Sequence, residues 1–136
     1  MCLAGLGFRL SLFGRDDVDQ GWQLFRLRGA GGWPTPLRKI AFALKLLAFA
    51  LKERPTLIIS THVNFAPVAL LARLLTGTRY VVVAHGIDVH PLLGRWRKLA
   101  LRRADAVWAV SRWTRERSLL LEVPGNVVTV LANTVD

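Results

Sequence analysis

The chain has 136 residues, 19 Lys plus Arg against 9 Asp plus Glu, and 52% apolar residues. That is about one domain's length with ample material for a core, which excludes a mostly disordered chain. The formal charge of +10 calls for a negatively charged counterpart, whether phosphate, nucleic acid or an anionic bilayer, and does not choose among them. The single Cys, Cys2, excludes an internal disulfide, and no Cys and His spacing suits structural zinc, so a reducing cytoplasm is the expected setting.

From the amino end, Met1 to Arg9 lacks a basic flank and its apolar stretch is too short for a signal peptide. Residues 8–13 alternate apolar and polar side chains, and 23–27 do so more weakly. Both read as short strands near a sheet edge, with a turn over 16–19. After the flexible Gly29 to Gly32 connection, Thr35 is placed to cap a long helix with Pro36 at its first position. Lys39, Lys45 and Lys52 interrupt this helix, so its apolar run falls short of the roughly 18 residues a bilayer span needs.

Four later runs, 57–60, 80–84, 106–110 and 127–131, are rich in β-branched and apolar residues and read as parallel strands buried on both faces. Helical periodicity separates them over 67–75, 92–103 and 112–121, with Gly77 stopping the first of these helices and Pro124-Gly125 the last. This alternation predicts an α/β fold with a doubly wound, mostly parallel, Rossmann-like sheet, read as one layered unit.

Open parallel sheets bind ligands beyond the carboxyl ends of their strands. The residues there are Thr61, His62 and Asn64; His85, Gly86 and Asp88; Ser111; and Asn133 and Asp136. His62 and His85 stand at equivalent strand ends, and Gly86 lets the backbone turn and a substrate approach closely. Ser111 most simply caps the helix that begins at Arg112, and Asn133 is equally a turn residue.

Three segments carry a family resemblance: Tyr80-Val81-Val82-Val83-Ala84-His85-Gly86-Ile87-Asp88, Arg103-Ala104-Asp105-Ala106-Val107-Trp108-Ala109-Val110-Ser111, and Leu131-Ala132-Asn133-Thr134-Val135-Asp136. In this order and spacing they resemble the amino-terminal domain of family 4 retaining glycosyltransferases, enzymes of the two-domain GT-B fold. Ala132 and Thr134 stand where the family has Pro and Gly. Leu3-Ala4-Gly5-Leu6-Gly7 followed by Phe8 resembles the end of the family's first helix entering its second strand. The resemblance therefore implies a single acceptor-side GT-B domain over residues 1–136 that lacks its first strand, with the carboxy-terminal donor domain absent.

The activity so implied is transfer of a sugar from a nucleotide-sugar donor, UDP- or GDP-linked, to a glycan or lipid-linked acceptor. Transfer retains the anomeric configuration and needs no obligatory metal. The chain alone would be inactive and bind no cofactor, because the donor pocket belongs to the missing domain. Carried onto this sequence, His85 is the catalytic candidate facing the reacting sugar, Gly86 gives room, and Asp88 orders the loop or touches the acceptor. His62 and Asn64 line the acceptor side, while Ser111 and Asn133 frame the cleft floor and hinge.

Arg38, Lys45 and Lys52 recur every seven residues beside Ile40, Leu44, Leu47 and Leu51, which makes helix 37–52 a candidate for contact with an anionic membrane. A second basic face has Arg95, Lys98 and Arg102 on one side of a helix and Trp96, Leu99 and Ala100 opposite. A cytoplasmic, peripheral location on the inner face of the plasma membrane fits both. A non-catalytic partner subunit at the membrane is the alternative. A basic nucleic-acid-binding module is a further one, although no nucleic acid is expected as a partner because the aromatic residues form no basic stacking platform.

Overall fold

The computed structural model describes residues 10–14, 20–21, 25–29, 34–90 and 93–131. The turn expected at 16–19 and the candidate Asn133 lie outside the described residues, as does Asp136. The contacts group the chain into two compact units, Met1–Phe49 and Ala50–Asp136. Strand pairing follows the same division, since the described strands pair as one three-stranded and one four-stranded sheet.

In the first unit, strand β1 (Leu10–Gly14) pairs in parallel with β3 (Phe25–Gly29), starting at Leu10 opposite Phe25. The two-residue strand β2 (Gln20–Gly21), which the sequence pattern does not reveal, runs antiparallel along β3. Helix α1 (Thr35–Glu53) begins here, with Pro36 in its first turn, where the missing N–H costs nothing. It buries Ala41, Phe42, Leu46 and Ala50 and leaves Leu37, Ile40, Leu44 and Leu51 exposed, so its apolar residues occupy two faces.

The second unit is a four-stranded parallel sheet in the order β4 (Leu57–Ser60), β5 (Arg79–Ala84), β6 (Ala106–Ala109) and β7 (Val128–Val130). Helices α2 (Ala66–Thr76), α3 (Arg95–Arg102) and α4 (Arg112–Leu120) supply the crossovers. With strand order equal to chain order, the right-handed rule for parallel crossovers puts all three helices on one face of this sheet. The core lies between them: Ala66, Ala69 and Leu70 of α2 and Ala100 and Leu101 of α3 pack with Tyr80, Val82 and Ala84, Val107 and Ala109, and Val128.

Burial on both faces holds only for β5, where Tyr80 through Val82 are all buried. Among the described residues, strand β4 has a partner on one side only, and it leaves Leu57 and Ile59 half exposed, at 45% and 49%. Helix ends also depart from expectation. Gly77 stops α2 as predicted, in the left-handed conformation at φ 74°, with its N–H donating to Arg73 O. Helix α4 stops earlier than Pro124-Gly125, because Glu122 adopts φ 64° and the Val123 N–H reaches back to Ser118 O, which closes a Schellman-type end. On α3, Trp96 is 73% exposed rather than set on an inner face, because it sits in the first turn, ahead of buried Ala100 and Leu101.

The Arg103-Ala104-Asp105 segment has a structural task. Asp105 Oδ2 accepts from the Tyr80 N–H and from Arg73, both at 2.9 Å, and Arg73 also donates to Arg103 O at 2.8 Å. The end of α2 is thereby tied to the starts of β5 and β6. Tyr80, fully buried, donates its hydroxyl to Ala100 O, and burial pushes the phenol pKa far above its ordinary value.

Candidate functional site at the carboxyl ends of the strands

Because β4 and β5 are parallel neighbours, with Ser60 opposite Val82, the residues leaving their carboxyl ends meet on one rim. Past β4, Thr61 and His62 lead into a single 3₁₀ turn, Val63–Phe65, whose Phe65 N–H returns to His62 O at 3.2 Å. Ser60 Oγ donates to the same carbonyl at 2.8 Å. Past β5, His85 precedes a second 3₁₀ turn, Gly86–Asp88, closed by the Asp88 N–H on His85 O at 3.0 Å.

These two turns bring three of the expected site residues together. The imidazoles of His62 and His85 stand 5.0 Å apart between centroids and tilt by 34°. His62 Nδ1 lies 3.3 Å from Asp88 Oδ2, and His85 Nε2 lies 3.2 Å from Thr61 O. A carbonyl oxygen only accepts, so His85 Nε2 carries the proton, and in the neutral ring Nδ1 holds the lone pair. The Phe65 ring meets His62 edge-on at 6.1 Å.

The other candidates have plainer positions. Asn64 is exposed on the first turn. Ser111 caps α4: its Oγ accepts the Thr114 N–H at 3.1 Å and lies 3.0 Å from Thr114 Oγ1. Gly86 is held by packing. A methyl group added there would sit 2.8 Å from the Trp113 ring, so the close approach that excludes a side chain comes from α4. The Arg117 guanidinium covers the Trp113 ring at 4.7 Å and donates through Nε to Val89 O at 3.3 Å.

Trp113 and Arg117 are not singled out from sequence, and Thr61, named there only as a strand-end residue, contributes its carbonyl. The βα alternation already implies that Thr61 neighbours His85. Nothing local signals that Trp113 packs on Gly86.

The rim thus offers two imidazoles and a carboxylate, groups suited to hydroxyl ligands. Among the described residues, no group of three or more His, Cys, Asp or Glu is placed to hold a metal ion. A groove of about 510 Å³ opens at the opposite end of the sheet, lined by Arg54, Pro55, Thr56, Thr76, Gly77, Thr78 and Arg79. Helices α1 and α2 end beside it, and the two Arg complement the partial negative charge of those helix ends.

Comparison with known proteins decides the family, because the sequence model for Glycosyltransferase Family 4 matches residues 2–136. The chain belongs to glycosyltransferase family 4. Its fold agrees: the crystal structure of Anabaena Alr3699/HepE in complex with UDP superposes with a TM-score of 0.62 at 17% identity, over 82% of this chain and 31% of that one. The HepE complex with UDP-glucose gives the same values. The apo form of the lipopolysaccharide outer core galactosyltransferase WaaB gives a TM-score of 0.59 at 16% identity, with the same coverage. This family 4 chain therefore has the α/β, Rossmann-like fold of GT-B glycosyltransferases and spans about a third of those neighbours' length. No curated protein matched it.

Proposed function

We propose that this chain is the acceptor-side domain of a retaining glycosyltransferase that moves a sugar from a nucleotide-sugar donor to a glycan or lipid-linked acceptor in polysaccharide biosynthesis. The observation that carries the reading is the meeting of His62, His85 and Asp88 beyond the carboxyl ends of β4 and β5 in a family 4 fold. Two imidazoles and a carboxylate can accept hydrogen bonds from several hydroxyls at once, which is what orienting a sugar requires. His85 faces the reacting centre, His62 and Asn64 hold the acceptor, and Ser111 and Asn133 frame the cleft. HepE, solved with UDP and UDP-glucose, supports a nucleotide-sugar donor. Most donor contacts lie outside this chain, which by itself binds no cofactor. Incubation with UDP- and GDP-sugars and a panel of acceptors should therefore give no multiple-turnover transfer, and turnover by the isolated chain would overturn this division of labour.

A second reading, compatible with the first, puts α1 against an anionic membrane on the cytoplasmic side. Leu37, Ile40, Leu44 and Leu51 are 43%, 57%, 62% and 53% exposed and run along one face, flanked by Arg38, Lys45 and Lys52. Among the described residues, no helix is long and apolar enough to cross a membrane, so this helix would lie in the interface. The triple variant Arg38→Glu, Lys45→Glu, Lys52→Glu should lose most co-sedimentation with anionic vesicles, and binding of the parent should weaken as salt rises. Equal binding to neutral and anionic vesicles would remove this reading.

A further inference from the structure

His62 and Asp88 are 26 positions apart in sequence and come from different loops, yet they form a directed pair. We propose that Asp88 is a positioning residue for His62. Its carboxylate fixes the ring as the Nδ1–H tautomer, so that Nε2 offers a lone pair to a ligand hydroxyl, and the Trp113–Arg117 pair of α4 keeps Asp88 in reach. Only the identity of the ligand rests on the acceptor-side reading.

The first part follows from donor and acceptor inventory. An ionised carboxylate only accepts, so the contact from Asp88 Oδ2 to Nδ1 requires the proton on Nδ1. In the neutral ring the lone pair then lies on Nε2. The Asp88 side chain is 10% exposed and that of His62 is 49% exposed, so the carboxylate is shielded while the ring faces solvent. The His62 carbonyl is held by Ser60 Oγ and the Phe65 N–H, and the ring is bordered by Phe65 and His85, which leaves little freedom to turn away. His85 is fixed in the opposite sense, with its Nε2–H on Thr61 O and its lone pair on Nδ1. In their uncharged forms two adjacent imidazoles so oriented each present a lone pair that complements hydroxyl donors.

The second part follows from packing. The turn bearing Asp88 starts at Gly86, which is pressed against the Trp113 ring so closely that a Cβ would sit 2.8 Å from it. Arg117 covers the Trp113 ring and hydrogen-bonds the carbonyl of Val89, the residue after Asp88. The turn is therefore clasped at both ends by α4, and its carboxylate has a set distance to the His62 loop.

The tautomer is readable without ligand or activity. In the uniformly ¹⁵N-labelled chain at alkaline pH, long-range proton–nitrogen correlation should show His62 mainly as Nδ1–H and His85 mainly as Nε2–H. Asp88→Ala should shift the His62 ratio toward Nε2–H by about tenfold, the value of one charge-assisted hydrogen bond. Trp113→Leu should shift it the same way by about threefold, as loosened packing weakens that bond. His85 should be unmoved by Asp88→Ala.

His62 found as Nε2–H in the parent, or an unchanged ratio in folded Asp88→Ala, overturns the pairing. Should Asp88→Ala fail to fold, Asp88→Asn serves, because it replaces the charged acceptor with a neutral, weaker one and should lower the Nδ1–H fraction. An unchanged ratio in Trp113→Leu overturns the role of α4. Methyl α-glucopyranoside and methyl α-mannopyranoside serve as the sugar probes. Shifts at His62 Nε2 support the hydroxyl site. No shift with the tautomers as stated overturns the acceptor-side reading and leaves the pairing standing.

Discussion

Tyr80 is the chain's one tyrosine, and its phenol is both buried and hydrogen-bonded, so its ionisation reports directly on the fold. Burial raises the pKa in the folded state, while the unfolded phenol ionises near its ordinary value of about 10. Stability from this group is therefore full below that pH and is lost as pH rises above it, by about 1.4 kcal/mol per pH unit. Phenolate absorbance should appear only together with unfolding, and Tyr80→Phe should remove this contribution to the alkaline slope. At neutral pH the same substitution should cost about 1–2 kcal/mol, since it leaves the Ala100 carbonyl without its donor. Tyr80 was legible as a strand residue, but its hydroxyl partner on α3 was not. Likewise His62, His85 and Asp88 could each be named from their positions after strands, whereas the pairing of His62 with Asp88 depends on how two 3₁₀ turns face each other.

Elements of the second unit were legible because pattern and punctuation agreed. The run at β4 has the expected bounds, and the limits of β5, α2 and α4 fall within a residue of the sequence reading. Gly77 shows why: it is the residue that reaches φ 74° without strain, and no atom lies within 4 Å of where a Cβ would stand. Gly77→Ala should therefore cost about 1 kcal/mol from backbone conformation alone, and Gly77→Asn less, measured by denaturant unfolding. Where the end of a helix rests on a less permissive residue, sequence gives no warning. Glu122 takes the left-handed position that closes α4, and the Pro124-Gly125 signal marks the one-turn 3₁₀ helix that follows. The two-residue β2 escaped for a different reason: so short a segment has no period, and it exists only through its pairing with β3.

At the scale of the molecule, βα alternation was enough to foresee a mostly parallel sheet with His62, His85 and Asp88 on one rim. It was not enough to foresee that the described strands pair as two sheets, because hydrophobic pattern marks strands without saying which ladders they share. One feature of that arrangement bears on how the protein behaves in concentrated solution. Strand β4 pairs only with β5, so its remaining row of amide and carbonyl groups belongs to no ladder among the described residues, and Leu57 and Ile59 along it are half exposed. It carries no Lys, Pro or bulge of the kind that blunts such edges, which makes it a template for β-zippering between molecules. Light scattering should show self-association that rises with concentration, and Ile59→Lys should suppress it through repulsion between like charges brought face to face, leaving the His62 and His85 resonances in place. The chain's +10 charge opposes the same association over longer range, so added salt should promote clumping of the parent even as it weakens any hold on anionic vesicles.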